Sequence, residues 1–352
     1  MKNTLFRILS TEADATRAYD KYGNDTSNYI TSDEDAGDGE FIYKNHYNSY
    51  NGETDYGASH VYALIVGKDC TKFTPKVVSY GDDGYSYTGS DELEHIFVTG
   101  GNTSYVSGNY YEALINSTTN TLELGCKNTI IPSFVTSIGA GAFVNTGESI
   151  ILPSSVTSIG EKAFRSCHSL ESITIPSSVT SIGESAFEYC RALKSIVIPS
   201  SSSVTSIEIG NSAFWGCNLL ESITISSSVT SIGDSAFERC ESLNSITIPS
   251  SSSVTSIGYR AFWGCSSLES IVLPSSVTSI GESAFDHCSS LESITIPSSI
   301  TSIGDRAFDQ GYSLSTINFG GTVSDWGNVT LGKNWKARAG IEVICSDGTV
   351  TL

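Results

Sequence analysis

The sequence predicts an α/β solenoid, a stack of right-handed coils in which each coil holds a short strand and one helical turn. The motif Ile-Gly-x-x-Ala-Phe occurs eight times, and its phenylalanines are separated by 21, 23, 27, 23, 25, 23 and 23 residues. A strand-like segment that ends at a proline precedes almost every copy. A fixed period in the twenties is typical of a solenoid, because a unit of this size buries its apolar side only against its neighbours. The motif phenylalanines are Phe143, Phe164, Phe187, Phe214, Phe237, Phe262, Phe285 and Phe308.

The strand of one unit is evident in residues 170–190. Ile173 and Ile175 are two positions apart, so both side chains point to one face of a strand, and the alternate side chains point to the other. We expect the isoleucines in the core, and Ser172 and Thr174 on an exposed sheet. The strand ends at Pro176, because proline has no N–H to donate to a neighbouring strand.

The second half of the unit turns the chain back. Gly183 permits a turn, because glycine adopts either sign of φ. Ala186, Phe187 and Cys190 lie at i, i+1 and i+4, which places them on one face of a single helical turn. We therefore expect one phenylalanine and one cysteine from each coil in a shared core.

This unit, L-x-x-I-x-I-P-x-S-V-T-S-I-G-x-x-A-F-x-x-C, resembles the BspA-like, treponemal-type leucine-rich repeat. The segments 114–132 and 321–348, which flank the units, strengthen the resemblance, and it covers about residues 93–352. It implies a leucine-rich-repeat solenoid in a non-enzymatic recognition or adhesion protein, of the kind found on the surfaces of oral and gut bacteria and of some mucosal protists. It implies no catalytic residues.

Three parts of the chain are expected. Residues 1–92 form a tyrosine-rich N-terminal domain for docking or capping, and residues 93–319 form the solenoid, with its first strand at the pattern Leu93-x-x-Ile96-x-Val98. Residues 320–352 form a C-terminal cap, because a solenoid must cover its last apolar face. Trp326 and Trp335 are then core residues of this cap.

The N-terminal part is predicted to be a small α+β or β-rich domain. A helix is expected over Thr11–Tyr22, because acidic residues lie in its first turn and a glycine follows. The expected strands are Thr4–Leu9, Phe41–Tyr43, His60–Val66 and Val77–Tyr80. Fourteen of the 17 tyrosines lie between Tyr19 and Tyr111. They indicate either a docking face or ordinary strand residues, and the second is the simpler interpretation.

The charge of the chain excludes several partners. A formal net charge of −19 is the opposite of what nucleic acid or an anionic membrane surface attracts. The sequence contains no run of about 18 apolar residues, so no membrane-spanning helix is predicted. The apolar run near Met1 is too short for a signal peptide, so neither an export signal nor a membrane anchor is visible. The family resemblance implies exposure on a cell surface. The missing signal favours a virion, whose proteins are released by lysis.

Cofactors, metals and disulfides are not expected. Six of the nine cysteines each lie three residues after a motif phenylalanine, so they should form a column of buried free thiols, one per coil. The acidic stretch Asp33–Glu40 lacks the spacing of an EF-hand and is interpreted as a solvated loop. His168 and His287 adjoin cysteines in sequence, but side chains of adjacent residues on a tight turn rarely face each other. We therefore predict no catalytic site.

Two surfaces are candidates for ligand binding. The exposed sheet would present an extended polar face to a glycan or fibrous protein. The alternative, a hydroxyl ladder that only satisfies itself, is the simpler interpretation. The second candidate is Trp215 and Trp263, which lie two coils apart and accompany the serine insertions 200–203 and 250–253. These tryptophans either stack on sugar rings or cover the added loops, and covering is the simpler interpretation. The candidate residues of the sheet are Ser172, Thr174, Ser222, Thr224, Ser245 and Thr247.

Two classes of function fit this sequence. The first is a recognition or adhesion protein whose solenoid binds a protein or glycan of a host surface. The alternative is a structural component of a phage particle or surface assembly, docked or homo-oligomerised through residues 1–92, with the solenoid projecting.

Overall fold

The computed structural model divides into two compact units, Met1–Pro153 and Ser154–Leu352. It describes residues 5–9, 18–20, 61–66, 95–98, 103–106, 113–127, 129–144, 146, 149–198 and 207–352. The strands of the first unit are β1 (Leu5–Leu9), β2 (Ala18–Asp20), β3 (Val61–Val66), β4 (His95–Val98), β5 (Tyr105–Val106), β6 (Ala113–Asn116), β7 (Thr121–Gly125) and β8 (Ser137–Ile138).

The first unit contains two groups of strands. One sheet has the order β2-β1-β3-β4, in which β1, β3 and β4 are parallel and β2 is antiparallel to β1. In the other group, β5, β6 and β7 are antiparallel neighbours, and β8 pairs parallel with β7. This parallel pair resembles the strand pairing of the repeats, so the change from hairpins to repeating coils occurs near residue 125.

The N-terminal expectations have mixed outcomes. The strands predicted at Thr4–Leu9 and His60–Val66 are confirmed by β1 and β3. The helix predicted over Thr11–Tyr22 is wrong in its described part, because Ala18–Asp20 pairs with β1, whose edge supplies the backbone partners that a helix would supply internally. The predicted strands Phe41–Tyr43 and Val77–Tyr80 lie outside the described residues.

The strand pattern at Leu93-x-x-Ile96-x-Val98 does form a strand, but that strand lies in a different sheet from the one expected. Strand β4 pairs with β3 at the edge of the first sheet, and its Ile96 side chain is fully buried. Alternating apolar residues specify one buried face of a strand and do not specify its partner. The sequence pattern was therefore insufficient to assign β4 to the repeat sheet.

The second unit is a β-solenoid. Its elements are β9 (Ser158–Ile159), β10 (Ser172–Thr174), β11 (Ser181–Ile182), β12 (Ser195–Val197), β13 (Ile207–Ile209), β14 (Ser222–Thr224), β15 (Val229–Ile232), β16 (Ser245–Thr247), β17 (Ser256–Ile257), β18 (Ser270–Val272), β19 (Ser279–Ile280), β20 (Ser293–Ile296), β21 (Ser302–Ile303), β22 (Thr316–Phe319), α1 (Val323–Trp326), β23 (Thr330–Leu331), β24 (Glu342–Cys345) and β25 (Gly348–Thr351).

The coils contribute strands to two faces of the solenoid, and within each face the strands of successive coils are parallel. The odd-numbered strands β9 to β23 form one face, and the even-numbered strands form two sheets, β10-β12-β14-β16 and β18-β20-β22-β24, with β25 antiparallel to β24. Equivalent residues of successive repeats are in register, for example Ile173 opposite Ile196 and Ile196 opposite Ile223. The register follows from the sequence period, because a slip by one residue would expose every isoleucine.

The predicted helical turn in each coil does not form. In the unit of Phe187, the N–H of Cys190 donates to the carbonyl of Phe187 at 3.1 Å, and the segment is a run of tight turns. Ser185 and Tyr189 have φ values of +55° and +59°, and such left-handed residues interrupt an α-helix. The only α-helix among the described residues is α1, so the α/β description is replaced by a β-solenoid.

A column of phenylalanine rings fills the centre of the second unit. The seven rings from Phe164 to Phe308 stack in six successive pairs, with centroid distances of 5.1–5.4 Å. Each of these seven side chains is at most 1% exposed. Beyond Phe308, the Trp335 ring makes an edge contact at 6.1 Å, and Trp335 and Trp326 are buried, as the sequence predicted.

The cysteine column is confirmed as free and buried. The Sγ of Cys190 donates to the carbonyl oxygen of Phe164 at 3.0 Å, and Cys217, Cys240, Cys265 and Cys288 repeat this contact one coil further on. Burial raises the pKa of the Cys217, Cys240, Cys265 and Cys288 thiols. These thiols are therefore core groups that hold little thiolate at neutral pH.

We expect the six column cysteines to resist alkylation in the folded protein, because the thiolate is the reactive form and these thiols are inaccessible. Iodoacetamide labelling followed by peptide mass spectrometry should detect them only after denaturation. An Asn244→Cys variant, in which the exposed Asn244 side chain is replaced, is the control and should be labelled at once. Rapid labelling of Cys240 in the native state would contradict the packed column.

Candidate ligand-binding surfaces

The exposed sheet presents the predicted hydroxyl array. The side chains of Ser172, Thr174, Ser222, Thr224, Ser245 and Thr247 are all exposed, between buried isoleucines. None of these six hydroxyls makes a hydrogen bond to another protein group within the described part of the chain. The expectation of a ladder that satisfies itself is therefore wrong, because parallel strands in register place equivalent side chains side by side without the required geometry.

This sheet lacks the side chains that usually dominate binding. Its remaining outward positions are Ser195 and Val197, and Val197 is 51% exposed. The four strands of this sheet, β10, β12, β14 and β16, carry no aromatic or charged side chain on their exposed face. Tyrosine, tryptophan and arginine provide most of the energy of tight interfaces. The sheet alone is therefore a small, polar surface that would contribute little binding energy.

A surface with large aromatic and charged side chains lies along the turns that follow the motif phenylalanine. The position directly after this phenylalanine is the post-phenylalanine column. Asp309 in this column is half-buried, and its other charged members are buried: Arg165, Glu188, Glu238 and Asp286. Trp215 and Trp263 occupy the same column and are only half-buried. The two tryptophans are thus the large side chains that this column presents to solvent.

The buried charges of the column are satisfied within the protein. Arg165 and Glu188 form an ion pair at 3.0 Å, with side-chain exposures of 9% and 5%. Burial raises the pKa of the Glu188 carboxyl, although the neighbouring Arg165 guanidinium acts in the opposite direction. Ser235 donates a hydrogen bond to Glu238 at 2.7 Å. These groups act in packing, because their charges are already paired.

The next residue of each coil lies beside the tryptophans. The Tyr189 ring lies 4.9 Å from the Trp215 ring, and the His287 ring lies 4.9 Å from the Trp263 ring. The Arg239 guanidinium lies over the Trp263 ring, 5.4 Å from its centroid. We name this set of side chains the aromatic row. Its members come from five successive coils: Tyr189, Trp215, Arg239, Trp263 and His287.

Glycine makes the contacts of the row possible. In both tryptophan coils the residue after the tryptophan is a glycine with positive φ, +68° for Gly216 and +72° for Gly264. A Cβ on Gly216 would lie 2.7 Å from the Cδ1 atom of Tyr189, so any larger residue would displace the Tyr189 ring from Trp215. Gly216 therefore leaves space for the Tyr189 ring, whereas a Cβ on Gly264 would lie 3.8 Å from the Arg239 Cγ, at ordinary contact distance.

Further arginines surround the aromatic row. The Arg260 guanidinium lies 5.6 Å from the centroid of Trp263 and 5.1 Å from that of Tyr259, and the Arg191 guanidinium lies 5.3 Å from that of Tyr189. The indole Nε1 of Trp215 is buried without a hydrogen-bond partner in the described structure, so the solvent-facing part of this ring is carbon. Carbon ring faces flanked by guanidinium groups suit a ligand with both apolar faces and negative charge.

Sequence reasoning found the tryptophans and missed their neighbours. Tyr189, Arg239 and His287 are separated from the tryptophans by a whole repeat, although writing the repeats beneath one another places all of them in adjacent columns. The interpretation of the tryptophans as covers for the serine insertions remains untested for residues 200–203, which lie outside the described residues. In the other insertion, Ser252 is buried and donates to the Val229 carbonyl at 3.1 Å.

The described residues contain no group of histidine, cysteine and carboxylate side chains suited to a metal ion. His168 Nδ1 lies 3.1 Å from the Tyr189 carbonyl, and His287 Nδ1 lies 2.7 Å from Asp286 Oδ1, so neither pairs with the cysteine beside it in sequence. Burial lowers the pKa of His168. Within this part of the chain, no helix is both long and apolar enough to cross a membrane.

Comparison with known families and structures gives a consistent result. The model of the BspA type leucine rich repeat region matches six copies, over residues 115–208 and 207–334. No curated protein matches the chain. A leucine-rich repeat protein from Eubacterium ventriosum is 27% identical, with a TM-score of 0.54, over 64% of this chain and 59% of that one. The match thus spans less than two thirds of that protein.

Two further solved structures match the chain with lower overall similarity. A leucine-rich repeat protein from T. pallidum is 23% identical with a TM-score of 0.39, over 64% of this chain and 85% of that one. A leucine rich cell surface protein from Faecalibacterium prausnitzii is 22% identical with a TM-score of 0.28, over 78% of this chain and 83% of that one.

Proposed function

We propose that this chain, which belongs to the BspA-type leucine-rich-repeat family, is a non-enzymatic recognition protein whose solenoid binds a glycan or protein ligand at an exposed cell surface. The single observation that carries this proposal is the aromatic row. A repeat needs only small or charged residues after its phenylalanine, and most coils have them. Half-buried tryptophans beside tyrosine, arginine and histidine have the composition of a binding surface, since such residues are enriched at interaction hot spots.

The rest of the solenoid supports this role by being rigid. The coils are held in register by two faces of parallel strands and by the phenylalanine column, so the aromatic side chains are fixed before a ligand arrives. Preorganised surfaces bind more tightly because less conformational freedom is lost on binding. The exposed hydroxyl sheet is the second candidate surface, and it would suit an extended repetitive ligand.

A binding screen tests the function. The full chain is immobilised and probed with a glycan array and with extracellular-matrix proteins. We expect Trp263→Ala to weaken the bound ligand by about tenfold or more, because truncating a hot-spot aromatic costs more than about 1.4 kcal/mol. Thr224→Lys, which places a charge on the exposed sheet, is the matched control and should leave the affinity within about twofold.

Two results would contradict this assignment to the aromatic row. Loss of binding in Thr224→Lys with unchanged binding in Trp263→Ala would assign the ligand to the sheet. If neither glycans nor matrix proteins bind the full chain, the recognition function is wrong.

A structural role is the second candidate, in a phage particle or surface assembly docked through residues 1–92. The enrichment of tyrosine before residue 112 favours it, because tyrosine is common in protein interfaces. Light scattering after size exclusion of the full chain measures whether it assembles. A defined oligomer at micromolar concentration supports this role, and a monomer at all concentrations contradicts self-assembly.

A further inference from the structure

The acidic residues of the repeats are missing from the two tryptophan coils. Five of the seven coils in the second unit have an acidic residue directly after the motif glycine, whereas the two tryptophan coils have Asn211 and Tyr259 there. The acidic residues at this position are Glu161, Glu184, Asp234, Glu282 and Asp305. The tryptophans also replace the acidic residue that most other coils have in the post-phenylalanine column. Each tryptophan coil therefore lacks a carboxylate at two positions of the same edge.

These losses matter because the second unit is itself acidic. Residues 154–352 contain 18 aspartates and glutamates and 10 lysines and arginines, and an exposed carboxylate repels anions. The remaining carboxylates of the post-phenylalanine column near the row, Glu188, Glu238 and Asp286, are buried and paired with Arg165, Ser235 and His287. The two tryptophan coils thus carry fewer carboxylates than their neighbours, although Glu184, Asp234 and Glu282 remain exposed in the other three coils of the aromatic row.

Positive charge is present at the same place. The ion pairs of the described residues join Lys162 to Glu161, Arg165 to Glu188, Lys194 to Glu171 and His287 to Asp286. Arg191, Arg239 and Arg260 have no carboxylate within 4 Å in this described part, and each lies over an aromatic ring. A guanidinium held over a ring is oriented for a ligand. The Nε of Arg260 is buried, so only the terminal N–H groups of this arginine can reach a ligand.

From these observations we propose that the aromatic row binds an anionic glycan. The Trp215 and Trp263 rings stack on sugar faces, while the Arg239 and Arg260 guanidinium groups donate hydrogen bonds to a carboxylate or sulfate group of the same chain. This inference rests on the proposed recognition function and adds the chemical class of its ligand. The geometry favours arginine for this role, because its planar fork binds carboxylate and sulfate through two N–H groups.

The spacing of the row agrees with a carbohydrate chain. Neighbouring coils are about 4.8 Å apart, so the two tryptophans are about 10 Å apart along the solenoid axis, and the five coils of the row span about 20 Å. A linear oligosaccharide presents one ring face per sugar at comparable intervals.

Binding of three oligosaccharides of equal length to the full chain tests the proposal. The probes are a heparin-derived octasaccharide, which carries sulfate groups, an octagalacturonate, which carries only carboxylates, and neutral cello-octaose. In titration calorimetry, an acidic probe should bind at least about tenfold more tightly than the neutral one, because hydrogen bonds to an ionised group are stronger than neutral ones. Binding should weaken with increasing salt, and the preferred acidic probe distinguishes sulfate from carboxylate recognition.

The variants compare two equivalent positions of the repeat. Arg239→Gln combined with Arg260→Gln removes the charge beside Trp263 and should abolish the preference for the acidic probe. The control is Arg306→Gln, which changes an exposed arginine at the position equivalent to Arg260, with φ values of +54° and +51°. It should change the affinity by less than about twofold. Circular dichroism and thermal melting verify that each variant is folded.

Three results would overturn the proposal. Equal affinity for acidic and neutral probes, or unchanged acidic binding in the arginine double variant, contradicts the anionic class of ligand. If Trp263→Ala still loses binding to a neutral glycan or a protein in those cases, the recognition function stands and only the ligand class is wrong. If no probe in either experiment binds the full chain, both are wrong.

Discussion

Replacing Phe237 by alanine should lower the free energy of unfolding by about 3–5 kcal/mol, the largest single effect that we expect in this protein. The Phe237 ring is fully buried between Phe214 and Phe262, at centroid distances of 5.2 and 5.4 Å. Its removal leaves a cavity in the middle of the column and eliminates two ring stacks at once. The neighbouring coils cannot close this cavity, because their backbones are held in register by strands on both faces.

Urea unfolding monitored by circular dichroism measures this loss, and hydrogen exchange locates it. Because each coil contacts only its neighbours, amide protection should fall most in the coils that contain residues 214–262. Tyr312→Ala removes an aromatic ring that is 58% exposed and should change stability by less than about 0.5 kcal/mol. A loss below about 1 kcal/mol for Phe237→Ala would show that the column does not hold the solenoid together.

Replacing Gly210 by alanine is expected to cost about 3 kcal/mol, although it adds only one methyl group. The added Cβ would lie 2.7 Å from the backbone nitrogen of Glu184 and from the backbone carbon of Gly183. Backbone atoms of a neighbouring coil cannot rotate away as a flexible side chain would. The methyl group therefore forces two coils apart at a point where the N–H of Gly210 donates to the Ile182 carbonyl at 2.9 Å.

The matched control is Gly327→Ala, at the end of α1. Gly327 has right-handed helical backbone angles, and the atom closest to its added Cβ is the Ser324 carbonyl oxygen at 3.4 Å. We expect this substitution to leave the melting temperature almost unchanged. Gly210→Ala should lower it by about 6 °C or more, because about 3 kcal/mol corresponds to about 2–4 °C per kcal/mol for a unit of about 200 residues. Equal melting temperatures for the two variants would mean that the coils separate without cost.

Several features of the solenoid were predictable because they depend on local spacing. Isoleucines two positions apart specify one buried strand face, and a proline ends that strand, whatever the rest of the chain does. The phenylalanine and cysteine columns follow from the same period, because equivalent residues of identical coils must lie above one another. The helical turn was wrong because apolar spacing does not reveal the left-handed backbone of Ser185 and Tyr189.

The sequence by itself therefore determined the coil, its core residues and the order in which the coils stack, since each depends on residues within one repeat. Tertiary structure alone decided which side chains surround the tryptophans. Tyr189 meets Trp215, and Arg239 meets Trp263, across neighbouring coils. Both contacts depend on coil register, and the first also depends on the space left by Gly216; neither is visible within a single repeat. The binding surface arises from stacking, because only stacking brings residues one repeat apart into contact.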